Sequence, residues 1–223
     1  MARGRPFAVV VVFAVLVAAC GSSEDAPAVD APAPAASDDS TADDPAETAT
    51  LPLQIQNQGG SMEGHTPRGF AGSGTGLFAG DNLNPGFPDG DGVQIWLTFD
   101  LPPGTPAPAR AVLTSEVLTV RGSPFDDLGA LRAEAVRYDA FGPELFDLTA
   151  IGPAVDCIRV QENGLDCDVT EAVARAVDAG EGRAQFRLVF ESAGDSDGEA
   201  DLALFFLTDT NTNERGIFTL ALS

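Results

Sequence analysis

Between Val93 and Phe99 the sequence reads Val-Gln-Ile-Trp-Leu-Thr-Phe. In an extended chain this puts Val93, Ile95, Leu97 and Phe99 on one face and Gln94, Trp96 and Thr98 on the other. A period of two is the repeat of a half-buried β-strand and does not fit a helix. Ala111 to Val120 and Leu131 to Tyr138 carry the same signal, and Phe186, Leu188 and Phe190 alternate with Arg187 and Glu191. Leu202 to Thr208 and Ile217 to Leu222 are near-continuous apolar runs, which predicts central strands. Leu101-Pro-Pro-Gly104 and Asp209-Thr-Asn-Thr-Asn213 have turn composition. Many short strands joined this way predict an all-β fold, a single antiparallel β-sandwich of jelly-roll type.

One segment departs from this repeat. Asp168-Val-Thr-Glu171 has the spacing of a capping box, with Asp168 as N-cap and Glu171 at the third helical position. Val169, Ala172, Val173, Ala176 and Val177 then share a helical face, and Gly180 ends it. A short helix packed on the end of the sandwich follows.

The N-terminal part is built on other rules. Arg3 and Arg5 precede Phe7 to Ala19, an apolar run of 13 residues, too short to span a bilayer and right for a signal-peptide core. The run closes with Val17-Ala18-Ala19-Cys20, followed by Gly21. This ending resembles the lipobox of bacterial lipoproteins. The resemblance implies that residues 1–19 are a signal peptide and that Cys20 is diacylated and becomes the mature N-terminus. Acyl chains in that number anchor firmly, whereas one alone holds only marginally. An ordinary cleaved signal with an incidental cysteine is the alternative. Residues 21–50 contain only Gly, Ser, Glu, Asp, Ala, Pro, Val and Thr, with eight acids and no base, and cannot bury enough surface to fold. We read residues 20–50 as a lipid-anchored, disordered acidic tether, spanning on the order of 30 Å as a coil, and residues 51–223 as the sandwich. The expected location is the cell envelope, membrane-anchored, with the domain on the extracytoplasmic side.

With Cys20 lipidated, Cys157 and Cys167 remain as an even pair in an oxidising compartment. Asn163-Gly164 suggests a two-residue turn that would set Cys157 opposite Thr170. A disulfide needs Cα atoms within about 7 Å, and therefore Cys157 opposite Cys167. The bridge is the stronger constraint and leaves Gln161 to Asn163 as a three-residue loop; two free buried thiols are the alternative. Closing the loop would contribute about 2.8 kcal/mol by chain entropy, less any strain.

Composition excludes several functions. The chain has 34 acidic and 12 basic residues, a net charge of −22, and every basic residue is arginine. Without lysine there is no phosphate-loop lysine, Schiff-base cofactor or lysine nucleophile. One histidine and three cysteines do not make the usual zinc cluster. So acidic a chain repels phosphate backbones, so no nucleic-acid partner is expected. At 44% hydrophobic it can still build a core. Hydrolysis through a Ser-His-Asp arrangement would have to use His65, the only histidine, in the Gly-rich stretch Gln58-Gly-Gly-Ser-Met-Glu-Gly-His65. Gly72-Ser73-Gly74 lacks the nucleophile-elbow spacing, and abundant acid does not by itself signal a glycosidase pair. No enzymatic activity is expected.

Two constellations remain as binding candidates. Trp96, the sole tryptophan, shares its strand face with Gln94 and Thr98, and Tyr138, the sole tyrosine, ends another strand. Exposed, these rings would form a glycan-binding platform; packed under a loop or the helix, they would be structural. Asp195-Ser-Asp197-Gly-Glu199-Ala-Asp201 and Asp81-Asn82 with Asp89-Gly-Asp91 gather oxygens on Gly-bearing loops, the donor type calcium prefers. A structural calcium held by Asp195, Asp197, Glu199 and Asp201 competes there with a simply solvated turn.

The order of features is itself suggestive. Gly74-Thr-Gly76-Leu77-Phe78-Ala79-Gly80 precedes a strand ending Leu97-Thr-Phe99-Asp100-Leu101-Pro102. Ala111-Val-Leu113 and a long strand follow, then Asp168-Val169-Thr170 opening a helix, then Phe186-Arg-Leu188. From about Gly69 to Ser223 this resembles the DNRLRE-type domains, extracellular β-sandwiches related to carbohydrate-binding modules. The resemblance implies the sandwich fold and a glycan ligand class, and it carries over no functional residue. The resulting expectation is a cell-surface lipoprotein displaying a non-catalytic binding module for envelope or extracellular glycan. Its alternatives are a structural or adhesion protein contacting an envelope protein and, less favoured, an extracellular hydrolase.

Overall fold

The structure, a computed structural model, describes residues 48–54, 58–71, 76–83, 92–206 and 217–223. All belong to the compact unit Pro45–Ser223. The leader, Cys20, Asp89 and Asp91 lie outside the described residues. Along the chain run β1 (Ala49–Pro52), β2 (Gly60–Glu63), β3 (Thr66–Phe70), β4 (Leu77–Asp81) and β5 (Val93–Asp100). They are followed by β6 (Ala111–Ser115), β7 (Leu118–Arg121), the single turn α1 (Pro124–Asp127) and β8 (Leu131–Ala135). Then come β9 (Val155–Asp156), β10 (Ile158–Val160), β11 (Gly164–Asp168), α2 (Thr170–Asp178), β12 (Arg183–Phe190), β13 (Asp201–Phe205) and β14 (Thr219–Leu222).

These strands form an antiparallel β-sandwich with one short helix beyond the α1 turn, as the alternation predicts. One sheet has the order β1-β14-β6-β11-β10; the other runs β7-β13-β4-β5-β12-β8-β9, with β2 also on β5 and β3 on β2. Their inner faces share one core, in which Ile95, Leu97, Phe99, Phe186 and Phe205 of the larger sheet meet Leu113, Leu165 and Leu220 of the smaller. β13 and β14 each have strands on both sides, the central placement that their apolar runs predict.

Four boundaries differ from the sequence reading. β1 begins at Ala49, inside the expected tether, because Ala49 and Thr50 pair with Leu222 and Ala221. The expected strand Ala111 to Val120 breaks at Glu116 and Val117: β6 belongs to the smaller sheet and β7 to the larger. Alternation survives this corner because both sheets turn their apolar side to one core, Leu113 before it and Leu118 after it. The strand expected to reach Tyr138 ends at Ala135. Helix α2 has Val169 as N-cap instead of Asp168. Asp168 Oδ1 accepts the Thr170 hydroxyl at 2.6 Å and the Thr170 N–H at 3.2 Å, bonds that hold its carboxyl below the usual carboxylate range.

A second corner of this kind, within one extended run, lies at Cys157. Val155 and Asp156 pair with β8 in the larger sheet, whereas Ile158 to Val160 pair with β11 in the smaller. The register Ile158↔Asp166 sets Cys157 opposite Cys167, and the two are disulfide-bonded with Cα atoms 4.3 Å apart. The turn is the expected three-residue loop Gln161 to Asn163, with Gln161 at φ 55°. The bridge pins a crossover corner to β11. Replacing both Cys157 and Cys167 by Ser should lower the unfolding free energy by about 2–4 kcal/mol in denaturant titrations; equal stability of parent and variant would deny the bridge that role.

Candidate functional site

Strand β5 is buried on both faces, with Asp100 its one exposed residue. Its outer face carries Trp96, which packs with Met62, Val136, Tyr138, Phe141 and Leu145 in a second core. The Trp96 and Tyr138 rings meet edge-to-face at 5.6 Å. Trp96 is 0% exposed and Tyr138 7%, so neither presents a ring to solvent, and the aromatic glycan platform is corrected to a packing role. The physical reason is a cover: the chain after β8 folds back over Trp96 and Thr98 instead of leaving them wet. Arg187, opposite Trp96 in β12, pairs with Glu134 at 2.8 Å and donates to the carbonyls of Phe146 (3.3 Å) and Leu148 (3.0 Å), tying that cover to the sheet.

The polar groups around Trp96 are only partly satisfied: Trp96 Nε1, Gln94 Oε1 and Gln58 Oε1 are buried without a hydrogen-bond partner, whereas those around Tyr138 are paired. Tyr138 OH donates to the Gln58 carbonyl at 2.8 Å and lies 2.9 Å from Thr98 Oγ1. Gln185 Nε2 donates to Thr98 Oγ1 and to the Tyr138 carbonyl, and Gln185 Oε1 accepts the Tyr138 N–H at 3.0 Å. Burial pushes the Tyr138 phenol above its usual value, against the lowering effect of the Thr98 hydrogen bond.

His65 sits at the tip of the β2–β3 hairpin with φ 62°. Its Nδ1 lies 3.2 Å from the Pro143 carbonyl and its Nε2 3.4 Å from Asp147, and its ring packs on Phe146 at 4.8 Å. Both nitrogens thus face oxygen acceptors on the cover segment.

The acidic loop after β12 is rearranged relative to expectation. The structure brings one carboxylate oxygen each of Asp127, Asp195 and Asp201 within 4.8 Å of one another. Asp127, from the end of α1, is the member that sequence reasoning missed. Asp197 and Glu199 are not in this cluster: Asp195 Oδ1 accepts the Asp197 N–H at 3.1 Å, and Asp197 Oδ1 the Glu199 N–H at 2.6 Å, so the intervening acids shape the loop's turns. The Asp127 carboxyl is held above the usual range by desolvation and then by repulsion from Asp201, Asp195, Asp197 and Asp126.

Two of the concavities among the described residues bear on ligand binding. One, of about 150 Å³, lies between α2 and the β8–β12 edge beside Arg137, Arg175 and Arg183, smaller than the several hundred Å³ usual for a ligand pocket. Its arginines are engaged by Glu181, the Ile151 carbonyl and Asp100 respectively. The other, of about 590 Å³, is an open polar groove at the cysteine hairpin, lined by Thr114, Glu116, Gln161, Glu162, Asn163 and Asp166 among others. No family model and no curated protein matches the chain. Among the described residues no helix is long and apolar enough to cross a membrane.

Two outcomes follow from the second core. Trp96→Ala should cost about 3–5 kcal/mol in denaturant unfolding; a near-neutral effect would mean that the ring is not packed. For Tyr138, the folded state keeps a proton that the unfolded chain loses. Its contribution to stability is therefore full below about pH 10 and falls as pH rises further. Phenolate absorbance of this sole tyrosine should appear only together with unfolding in an alkaline titration, and its appearance near pH 10 in folded protein would contradict the burial.

Proposed function

We propose that this protein is an envelope lipoprotein, anchored through Cys20, that displays its β-sandwich as a non-catalytic interaction module for another envelope protein. The observation that carries the choice of partner is the burial of both Trp96 and Tyr138. A flat sugar ring is held largely by stacking on an exposed aromatic face, and these rings are spent on internal packing. A disulfide-stapled sandwich following an acidic spacer suits display in an oxidising compartment. Residues 51–223 hold 26 of the 34 acids and 10 of the 12 arginines, a net charge of −16, so the module favours a partner with a basic face, because complementary potentials speed encounter and reject like-charged surfaces.

A glycan ligand is the second reading, favoured by the groove at the cysteine hairpin, where Glu116 and Asp166 could accept hydrogen bonds from sugar hydroxyls and Asn163 could both donate and accept. The motif order shared with DNRLRE-type domains supports it as well.

Cell fractionation tests the anchor: the parent should sediment with membranes, and Cys20→Ala should be released. A variant that stays membrane-bound after leader removal would refute the lipoprotein reading. The released full-length chain then separates the ligand classes. Photo-cross-linking on intact cells, needed because the chain lacks lysine, should give a defined protein adduct. Saturable retention on a glycan array, lost on substituting Asn163 and Asp166, would select the glycan reading instead.

A further inference from the structure

We propose that Asp127, Asp195 and Asp201 bind a calcium ion, which ties α1 and the acidic loop to the start of β13. Three carboxylates with oxygens within 4.8 Å of one another repel strongly unless a cation lies among them. Among the described residues none of the three is in an ion pair, although the chain has 12 arginines. A second, independent feature points to a ligand. Asp201 is 2% exposed; its Oδ1 accepts the Ser123 N–H at 2.5 Å, while its Oδ2 is buried with no hydrogen-bond partner. A buried carboxylate oxygen left bare carries the full cost of lost hydration, and a metal bond is the interaction this position lacks.

The local backbone is shaped to bring the carboxylate in. Gly122, at φ +69°, passes so close that a Cβ there would stand 2.2 Å from Asp201 Oδ1 and 2.4 Å from the Ala200 carbonyl. Any side chain at this position would push Asp201 out of the cluster. Asp127 and Asp195 are exposed, so water reaches the other side and can fill the remaining positions. The donor set is all oxygen, with neither the imidazole nor the thiolate that favours zinc. Its members come from three separate segments and leave coordination open, which suits the six to eight flexible oxygen ligands of calcium better than the strict octahedron of magnesium.

This site is independent of the partner proposed above. The test uses the full chain in detergent, stripped with chelator. Calorimetric titration with calcium chloride should show one ion per chain, with a Kd of about millimolar or tighter, as in extracellular modules. Magnesium chloride should bind more weakly. Calcium should raise the melting temperature over chelator at matched ionic strength. Asp127→Asn, at an exposed position where misfolding is not expected, should weaken calcium binding roughly tenfold or more, whereas Glu199→Gln should leave it unchanged. Absence of calcium binding, or equal binding of magnesium, would overturn the proposal. So would an Asp127→Asn chain that binds like the parent, since binding would then belong to the loop from Asp195 to Asp201 alone.

Discussion

The sandwich depends on a strand that water reaches on neither side. β5 places Ile95, Leu97 and Phe99 in the core between the sheets and Trp96 in a separate core outside them. A sheet with one buried face is complete once a second sheet covers it. Here the outer face is apolar too, and the segment from Val136 to Leu148 has to leave the sheet edge and lie across it. That detour needs polar anchoring, because a loop laid over a sheet brings unpaired carbonyls with it. Arg187 supplies it, balanced by Glu134, and donates to the Phe146 and Leu148 carbonyls at the cover's far end. Tyr138 and Gln185 do the same at its near end.

Much of this architecture was legible because alternation reports which side of a strand meets a core. It located β5, β8 and β12, and the density of apolar residues marked β13 and β14 as interior. What alternation cannot encode is which sheet a strand joins. The run Ala111 to Val120 keeps its period through a corner because both sheets face the same core. Nor does it reveal a second layer. Gln94, Trp96 and Thr98 look like a solvated face from their neighbours in sequence, and the cover that dries Trp96 and Thr98 comes from residues beyond β8. The disulfide register was readable for a different reason: covalent reach is a harder constraint than turn preference, and it fixes Cys157 opposite Cys167.

The acidic cluster shows the same limit at the level of a site. Sequence spacing selected Asp195 and Asp201 but grouped them with Asp197 and Glu199, their neighbours along the chain. In the fold, Asp195 Oδ1 and Asp197 Oδ1 each accept the N–H two residues on, and the carboxylates of Asp197 and Glu199 fall outside the cluster. The third carboxylate comes from α1, which reaches this place only because β7 and β13 are paired. A lone Pro-Phe-Asp-Asp turn offers no local sign of that destination.

Strand β1 sits at the edge of its sheet, held to β14 by the pairs from Ala49↔Leu222 to Pro52↔Thr219. Any pull transmitted along the chain from its N-terminal side enters the sandwich at Ala49. It loads these pairs one after another, as a zipper opens, and Pro52 has no N–H to add to the last of them. Peeling is checked at Leu53, whose side chain is 1% exposed and lodged in the core. The opened state keeps β14 paired with β6 but bares its other edge, a row of unpaired donors and acceptors able to take up a strand from elsewhere. The first element of the domain would thus yield under tension before the rest and expose a strand-receiving edge as it does so.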